Sequence, residues 1–403
     1  MIRRRQFIAR HHDGFTLVEL LMVIAIIGIL AATVLFAMAG AQENARQERT
    51  RSQIRKLNSF ISARWEDLLA SKVRINGTIL EQRARQAVPL PPPTTAPGIP
   101  PRQVRYQRSV DKLLSQYRVD ATREMLRMSL PERKNDLLDP PFSFYSNLRF
   151  GGVASEPALW LAYQQKAEQL IKSKYHNSNH AAYNPNSIYN WRHRELWTPE
   201  HESAECLYLI LSQILEEDRT ALEFFADNEI SDVDEDGMPE IVDAWGTPIV
   251  FLRWAPGYGI SELAEATSYD SLDPLSIYGT LPTGVFGNRV QTPGHRTYAL
   301  RPLIFSAGPD KKSGISTGQG VFSYLFGFNP PDFGIPPDYS TAPNFFPPNN
   351  PYLGIGDYAV SIPGFSAFGS LALDANGSSA ESEKDASDNI YNYQELKVRG
   401  AGS

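Results

Sequence analysis

Cysteine is almost missing from this chain. Cys206 stands alone among 403 residues, so no intramolecular disulfide can form. It falls within an apolar helical pattern and reads as a buried thiol, because nucleophile duty would need a histidine partner that the sequence does not identify. Histidine is scarce too, at seven residues. His176 and His180 are four apart, which suits a metal pair on a helix, but Tyr175-His176-Asn177-Ser178-Asn179-His180 is loop-like sequence. His201-Glu202-Ser203-Ala204-Glu205 lacks the second histidine of a zinc-protease helix. There is no Gly-x-Ser-x-Gly elbow and no phosphate loop. The expectation is therefore a protein that is not an enzyme. Excess positive charge is also lacking: the formal net charge is −6, which argues against a general nucleic-acid binder. No internal repeat occurs, and past residue 39 there is no second long apolar run. The length suits two to three domains, or one domain with large insertions.

What is present begins at the N-terminus. Arg3, Arg4, Arg5 and Arg10, with His11 and His12, precede an apolar run that extends to about Ala39 and contains one charged residue, Glu19. A run of ~20 apolar residues matches the hydrocarbon thickness of a bilayer. A carboxylate at the centre of such a helix costs ~2.5 kcal/mol or more, so Glu19 is a functional candidate by default. The basic residues stay cytoplasmic by the positive-inside rule, which places the rest of the chain on the opposite side. An ordinary secretory signal would instead be cut after the apolar core, at Ala31-Ala32 or Ala37-Met38-Ala39, but such a core would not retain a glutamate. A plain uncleaved anchor is the other alternative.

Gly14-Phe15-Thr16-Leu17-Val18-Glu19 resembles the class III signal of type IV pilins and type II secretion pseudopilins. The resemblance covers roughly residues 10–40, and one departure is Asp13, where the family usually carries Lys or Arg. It implies cleavage by prepilin peptidase after Gly14, methylation of the new N-terminal Phe15, and Glu19 as the fifth mature residue. In that family the glutamate pairs with the N-terminal amine of a neighbouring subunit, neutralising two charges buried in lipid and setting the stagger between subunits. Removing residues 1–14 takes away four Arg and one Asp and leaves a mature chain near −9.

Beyond Gly40 the sequence keeps helix formers, and Ile54, Leu57, Ile61, Trp65 and Leu68 recur every three or four residues. One helix is predicted from Phe15 to about Leu69, its first half in lipid and its second packed on a globular domain. Residues 88–101 hold seven prolines and read as an extended spacer or, less commonly, a ligand for a proline-reading domain. A charged helix is expected near 109–129. Residues 130–197, rich in Pro, Asn, Tyr and Trp, show no clear period, and 73–197 reads as an insertion or accessory subdomain. The aromatics at 183–197 suit packing more often than carbohydrate binding. A second helix is predicted from Thr198-Pro199-Glu200, an N-cap and first-turn pattern, to near Glu217. Short strands follow at 248–252, 298–300 and 303–306. Residues 328–370 form a long loop dense in Pro, Gly, Phe and Tyr.

Asp232-Val-Asp234-Glu-Asp236-Gly237-Met238-Pro-Glu240-Ile-Val-Asp243 has the spacing of a twelve-residue calcium loop. Acids fall at positions 1, 3, 5, 9 and 12, Gly237 permits the sharp turn, and Met238 would offer its carbonyl at position 7. Pro239 and the short Asp243 depart from an EF-hand, and helix before with strand after places the loop on another scaffold. A solvated acidic turn is the alternative, though acids this close repel one another without a cation. Asp243-Ala244-Trp245-Gly246-Thr247-Pro248-Ile249 resembles a turn of the major pseudopilin that leads into its sheet. Phe305-Ser306-Ala307-Gly308-Pro309-Asp310 resembles the strand before that family's calcium loop, and Asp388-Asn389-Ile390 its C-terminal element. The resemblance makes Asp310 and Asp388 further Ca²⁺ candidates, although a far longer stretch separates them here.

The reading is an α+β protein: a transmembrane helix continuing into a pilin-like head with a small antiparallel sheet and an inserted subdomain. Its segments are the leader 1–14, the filament-core helix 15–39, its amphipathic extension 40–72, the insertion 73–197, and a pseudopilin-like head 198–403. The resemblance implies a structural subunit of a type II secretion-type filament, a single-pass inner-membrane protein with a periplasmic head. Its partners would be prepilin peptidase, other pseudopilin subunits, the inner-membrane assembly platform and membrane lipid, with no nucleic acid. A surface type IV pilin or adhesin, and a membrane-anchored periplasmic enzyme or binding protein using the same signal, are the alternatives.

Overall fold

A computed structural model describes residues 17–71, 73, 75–94, 96–137, 157–255, 270, 272, 300–315 and 384–392. The expected leader, Gly14, Phe15, the strand residues Tyr298 and Ala299, and the 328–370 loop lie outside the described residues. Helix α1 is Leu17–Ala70, within two residues of the expected bounds. The chain divides into two compact units at Arg49 and Thr50.

In the first unit the large apolar side chains of α1 from Leu17 to Met38 are exposed, up to 85% at Phe36. A soluble surface does not carry a continuous apolar face of this size, so these side chains need lipid or other helices around them. At about 1.5 Å per residue, Leu17 to Ala39 spans about 35 Å, enough for a hydrocarbon core of about 30 Å. This helix is the one stretch among the described residues that is long and apolar enough to cross a membrane, as a single-pass anchor would be.

The second unit is built around the other half of α1. The expected stripe of Ile54, Leu57, Ile61, Trp65 and Leu68 is buried, joined by Thr50, Gln53 and Phe60. The polar members of that face hold specific partners. Gln53 Nε2 donates to the Val242 carbonyl at 3.2 Å, and Thr50 Oγ1 accepts from Ala244 N–H at 3.2 Å. Lys56 Nζ donates to the Phe224 carbonyl at 2.6 Å, and Asn58 Oδ1 accepts from Asn392 Nδ2 at 2.8 Å.

Among the described residues from 73 to 197 there are four α-helices. Helix α2 (Gly77–Ala87) is capped by Asn76, whose side chain accepts from Ile79 N–H. The described residues of the proline stretch form neither helix nor strand, and the carbonyls of Pro91 and Pro92 accept from Arg102 and Arg105 at 2.7 Å each. Helix α3 (Arg102–Ser129) starts directly after Pro101, seven residues earlier than the apolar period alone suggests. Helix α4 (Lys134–Leu137) is one turn, and α5 (Ala158–Tyr175) follows Pro157. Although residues 130–197 show no clear period in sequence, Ala158–Tyr175 is a helix with a buried stripe. Trp160, Tyr163, Ala167 and Ile171 are spaced by three and four and are buried. Two of these four are aromatic and one is alanine, so the stripe is poorly marked by aliphatic residues.

Helix α6 is Glu202–Ser212, shorter at both ends than the predicted Thr198–Glu217. Thr198 does not cap it: His201 immediately precedes the helix, and the Thr198 N–H and hydroxyl donate to Asp236 and Asp234. The helix begins after His201, held in the left-handed region at φ 61°. Past Gln213 the chain makes a hairpin of β1 (Leu215–Glu216) and β2 (Arg219–Thr220), with Glu217 and Asp218 both at positive φ. Two successive positive φ values match the twist of a tight hairpin, which is why the helix cannot continue there.

Strands β3 (Ile230–Ser231) and β4 (Glu240–Ile241) pair antiparallel and close the acidic loop between them. The main sheet has the order β5-β6-β7, all antiparallel. Strand β5 (Val250–Leu252) pairs with β6 (Leu303–Ser306) through Phe251↔Ile304, and β6 pairs with β7 (Ile390–Tyr391) through Ser306↔Ile390. The architecture is α+β. One hydrophobic cluster joins Ile54 and Leu57 of α1, Leu126 of α3, Tyr163 of α5, Leu207 of α6 and Ile304 of β6. A buried ionic knot ties α3 and the 130s to β5. Asp136 accepts from Arg127 Nε and from Arg253 Nη1 at 2.9 Å each, and Arg253 N–H donates to Glu132 at 2.8 Å.

Candidate functional site

Two places carry chemistry. The first is the start of α1. Glu19 lies in the first helical turn, exposed among exposed apolar side chains. An acid at that end is favoured by the helix dipole, by roughly 0.3–1 kcal/mol in water. In hydrocarbon that gain is smaller than the cost of the charge, so a cationic partner is what makes the position tenable. Gly14 and Phe15, the expected cleavage and methylation positions, lie outside the described residues.

The second place is the loop between β3 and β4. Positive φ at Glu235 (59°) and Gly237 (99°) turns the chain back on itself. A side chain at Gly237 would also meet Lys174, whose Cδ lies 2.8 Å from where a Cβ would stand. The turn gathers Asp232, Asp234 and Asp236, whose oxygens come within 4.8 Å of one another. Asp232 Oδ2 accepts from Gly237 N–H at 3.0 Å and Lys174 Nζ at 2.9 Å. Lys174 also donates to the Glu235 carbonyl. Asp234 Oδ2 accepts from Thr198 Oγ1 at 2.7 Å, while Asp236 accepts from Thr198 N–H at 2.5 Å and Met238 N–H at 2.8 Å. Met238 is buried.

Asp234 belongs to a second, deeper group with Glu205 and Glu240, again within 4.8 Å. Glu205 comes from α6, outside the twelve-residue window, and sequence reasoning missed it. The available signal was a carboxylate inside the apolar run Ala204-Glu205-Cys206-Leu207, where a helix face is otherwise core. Both glutamates are fully buried, at 0% exposure. Each uses one oxygen: Glu205 Oε2 accepts from Trp197 Nε1 at 2.5 Å and Glu240 Oε2 from Val233 N–H at 2.9 Å. Oε1 of each has no hydrogen-bond partner, and neither does Asp232 Oδ1. Burial, and then the neighbouring acids, push the Glu205 carboxyl well above its ordinary range. Burial is also the leading cause at Glu240, raised to about 8, and at Asp236, raised to about 6.

Asp243, position 12 of the sequence pattern, is placed differently. Its Oδ1 accepts from Trp245 N–H and Thr247 N–H at 2.9 Å each, and its Oδ2 accepts from Ser306 Oγ at 2.6 Å. It ties the Trp-Gly turn to β6 rather than joining the loop acids. Asp310 and Asp388 are brought together across the sequence. Asp310 N–H donates to Asp388 Oδ2 at 3.4 Å, and Gly308 lets the Asp388 backbone approach so closely that a Cβ there would stand 2.6 Å from its carbonyl oxygen. Burial and the Asp310 charge raise the Asp388 carboxyl. The other candidates are not gathered for catalysis. Burial pushes the Cys206 thiol well up, the His180 ring packs edge-on against Tyr175 at 5.3 Å, and its Nδ1 accepts from Ala182 N–H.

The profile of the prokaryotic N-terminal methylation motif matches residues 9–35. This segment contains Gly14, Phe15 and Glu19 and runs into the exposed apolar half of α1. The match marks the chain as carrying the type IV pilin-like signal that prepilin peptidase processes, and implies assembly with other pilin-like subunits. Comparison with curated proteins and with solved structures returns no match.

Proposed function

We propose that this chain is a pseudopilin-like structural subunit of a type II secretion-type filament. The observation that carries the reading is the methylation motif at 9–35 leading into one 54-residue helix with Glu19 in its first turn. The mechanism is assembly. Peptidase cleavage after Gly14 frees the Phe15 amine, lateral packing of the apolar helices shields them in the filament core, and Glu19 pairs with a neighbour's Phe15 amine. The basic residues before the helix keep the leader cytoplasmic, which puts the head in the periplasm of an inner-membrane protein. A secretion filament is favoured over an adhesive pilus by the resemblance of head segments Asp243–Ile249, Phe305–Asp310 and Asp388–Ile390 to those of the major pseudopilin, and two contacts hold these segments in place. These are the Trp245-Gly246 turn held by Asp243 and the Asp388 carbonyl packed on Gly308. The inner-membrane assembly platform would be the further partner.

Glu19→Ala in the native host is the test. The variant is expected to remain membrane-inserted, be lost from sheared or cross-linked filament fractions, and deplete secreted proteins from the culture supernatant. Normal incorporation of Glu19→Ala into filaments would overturn the assembly reading. Loss of surface pili with secretion intact would move the chain to the surface pilin alternative.

A further inference from the structure

The sequence pattern points to an isolated twelve-residue calcium loop, but one of the orphaned oxygens gathered there belongs to Glu205 of α6, outside that loop. Two fully buried glutamates, one from α6 and one from β4, have an oxygen each without a hydrogen-bond donor. These side chains and Asp234 bring oxygens within 4.8 Å of one another. A buried carboxylate oxygen left unpartnered is costly unless a proton or a cation sits against it. Lys174 does not fill that role, because its ammonium, still 32% exposed, is engaged at Asp232 and the Glu235 carbonyl.

We propose that Glu205, Asp234 and Glu240 hold a divalent metal ion, Ca²⁺ by ligand class, which pins helix α6 to the acidic loop. Glu205 takes the place that position 12 has in a conventional loop, while Asp243 is given over to the Trp-Gly turn and Ser306. The donor set is all carboxylate oxygen. Zn²⁺ sites favour nitrogen and sulfur, and Mg²⁺ keeps much of its water, so a site rich in carboxylates on a turning loop suits Ca²⁺ best. Asp232 and Asp236 flank the site and add negative charge, and their backbone bonds to Gly237 and Met238 hold the loop shape. The ion would make the head's fold depend on metal. Trp197 and Thr198, which bond Glu205, Asp234 and Asp236, lie on the strap just before α6 and would be ordered with it.

The experiment uses the full-length protein in detergent with Ca²⁺ itself, read by calorimetry and by melting temperature in Ca²⁺ against chelator. Wild type should bind Ca²⁺ and melt higher with it. Glu205→Gln and Glu240→Gln should each weaken binding by about tenfold or more, since affinity follows ligand charge. Neither should lower the melting temperature in chelator, because each removes repulsion while keeping shape, and this separates a ligand role from a merely structural one. Asp243→Asn and Asp388→Asn should leave affinity within about twofold of wild type. No Ca²⁺ binding by wild type would overturn the proposal in favour of protonated carboxyls. Wild-type affinity retained in both glutamate variants, or affinity lost in Asp388→Asn alone, would overturn it by placing the ion elsewhere. Filament assembly plays no part in these readouts, so their failure leaves the filament reading intact.

Discussion

At the scale of single residues, the head is stabilised by a few buried charges whose partners are distant in sequence. Asp136 shows the balance. Burial alone would raise its carboxyl, but Arg253 and Arg127 outweigh it and hold the group well below the usual carboxylate range. A depressed carboxyl contributes its stability in full above its unfolded pKa, about 3.9, and loses it as pH falls from there towards the folded value. Asp136→Ala would leave two buried guanidiniums short of a partner, so the expected cost is about 3–5 kcal/mol. Denaturant unfolding at neutral pH should read that loss. The gap from wild type should narrow as pH drops below about 4, whereas a pH-independent gap would assign the residue a purely steric role. None of this network is legible in sequence, because Asp136 lies in the one-turn α4 and Arg253 follows β5, 117 positions away.

Among elements, those with strong local periodicity were legible and those positioned by distant carboxylates were not. Helix α1 and strands β5 and β6 follow from apolar spacing alone. Helix α6 does not: an N-cap side chain accepts from the first N–H groups of its helix, whereas Thr198 stands four residues before Glu202 and donates its hydroxyl and N–H to Asp234 and Asp236. Glu205 escaped for a related reason, since a glutamate four residues into a helix looks like ordinary dipole complement until the loop folds over it. The turn after β6 gives an element-scale prediction. Gly308 sits at φ 74°, and a Cβ added there would stand 2.6 Å from the Asp388 carbonyl oxygen. Gly308→Ala would combine strained backbone with a clash on the β7 approach, costing roughly 1–3 kcal/mol. The same change at Gly98 (φ 80°), where no atom lies within 4 Å of an added Cβ, should cost less. Thermal unfolding of the two variants makes the comparison, and equal losses would mean that the β6–β7 approach is not a tight contact.

For the whole molecule, the sequence separates two tasks that the fold keeps in different units. The first unit presents an apolar surface with no use in water, and the methylation motif states how such a helix is processed. The second unit buries its own core, and its acidic loop was visible from spacing while the carboxylate of Glu205 from α6 was not. Mass spectrometry of the mature N-terminus, on protein purified from native membranes, tests the central account most directly. The account predicts a chain that begins at N-methylated Phe15, while an intact Met1 or a start near Ala39 would contradict it.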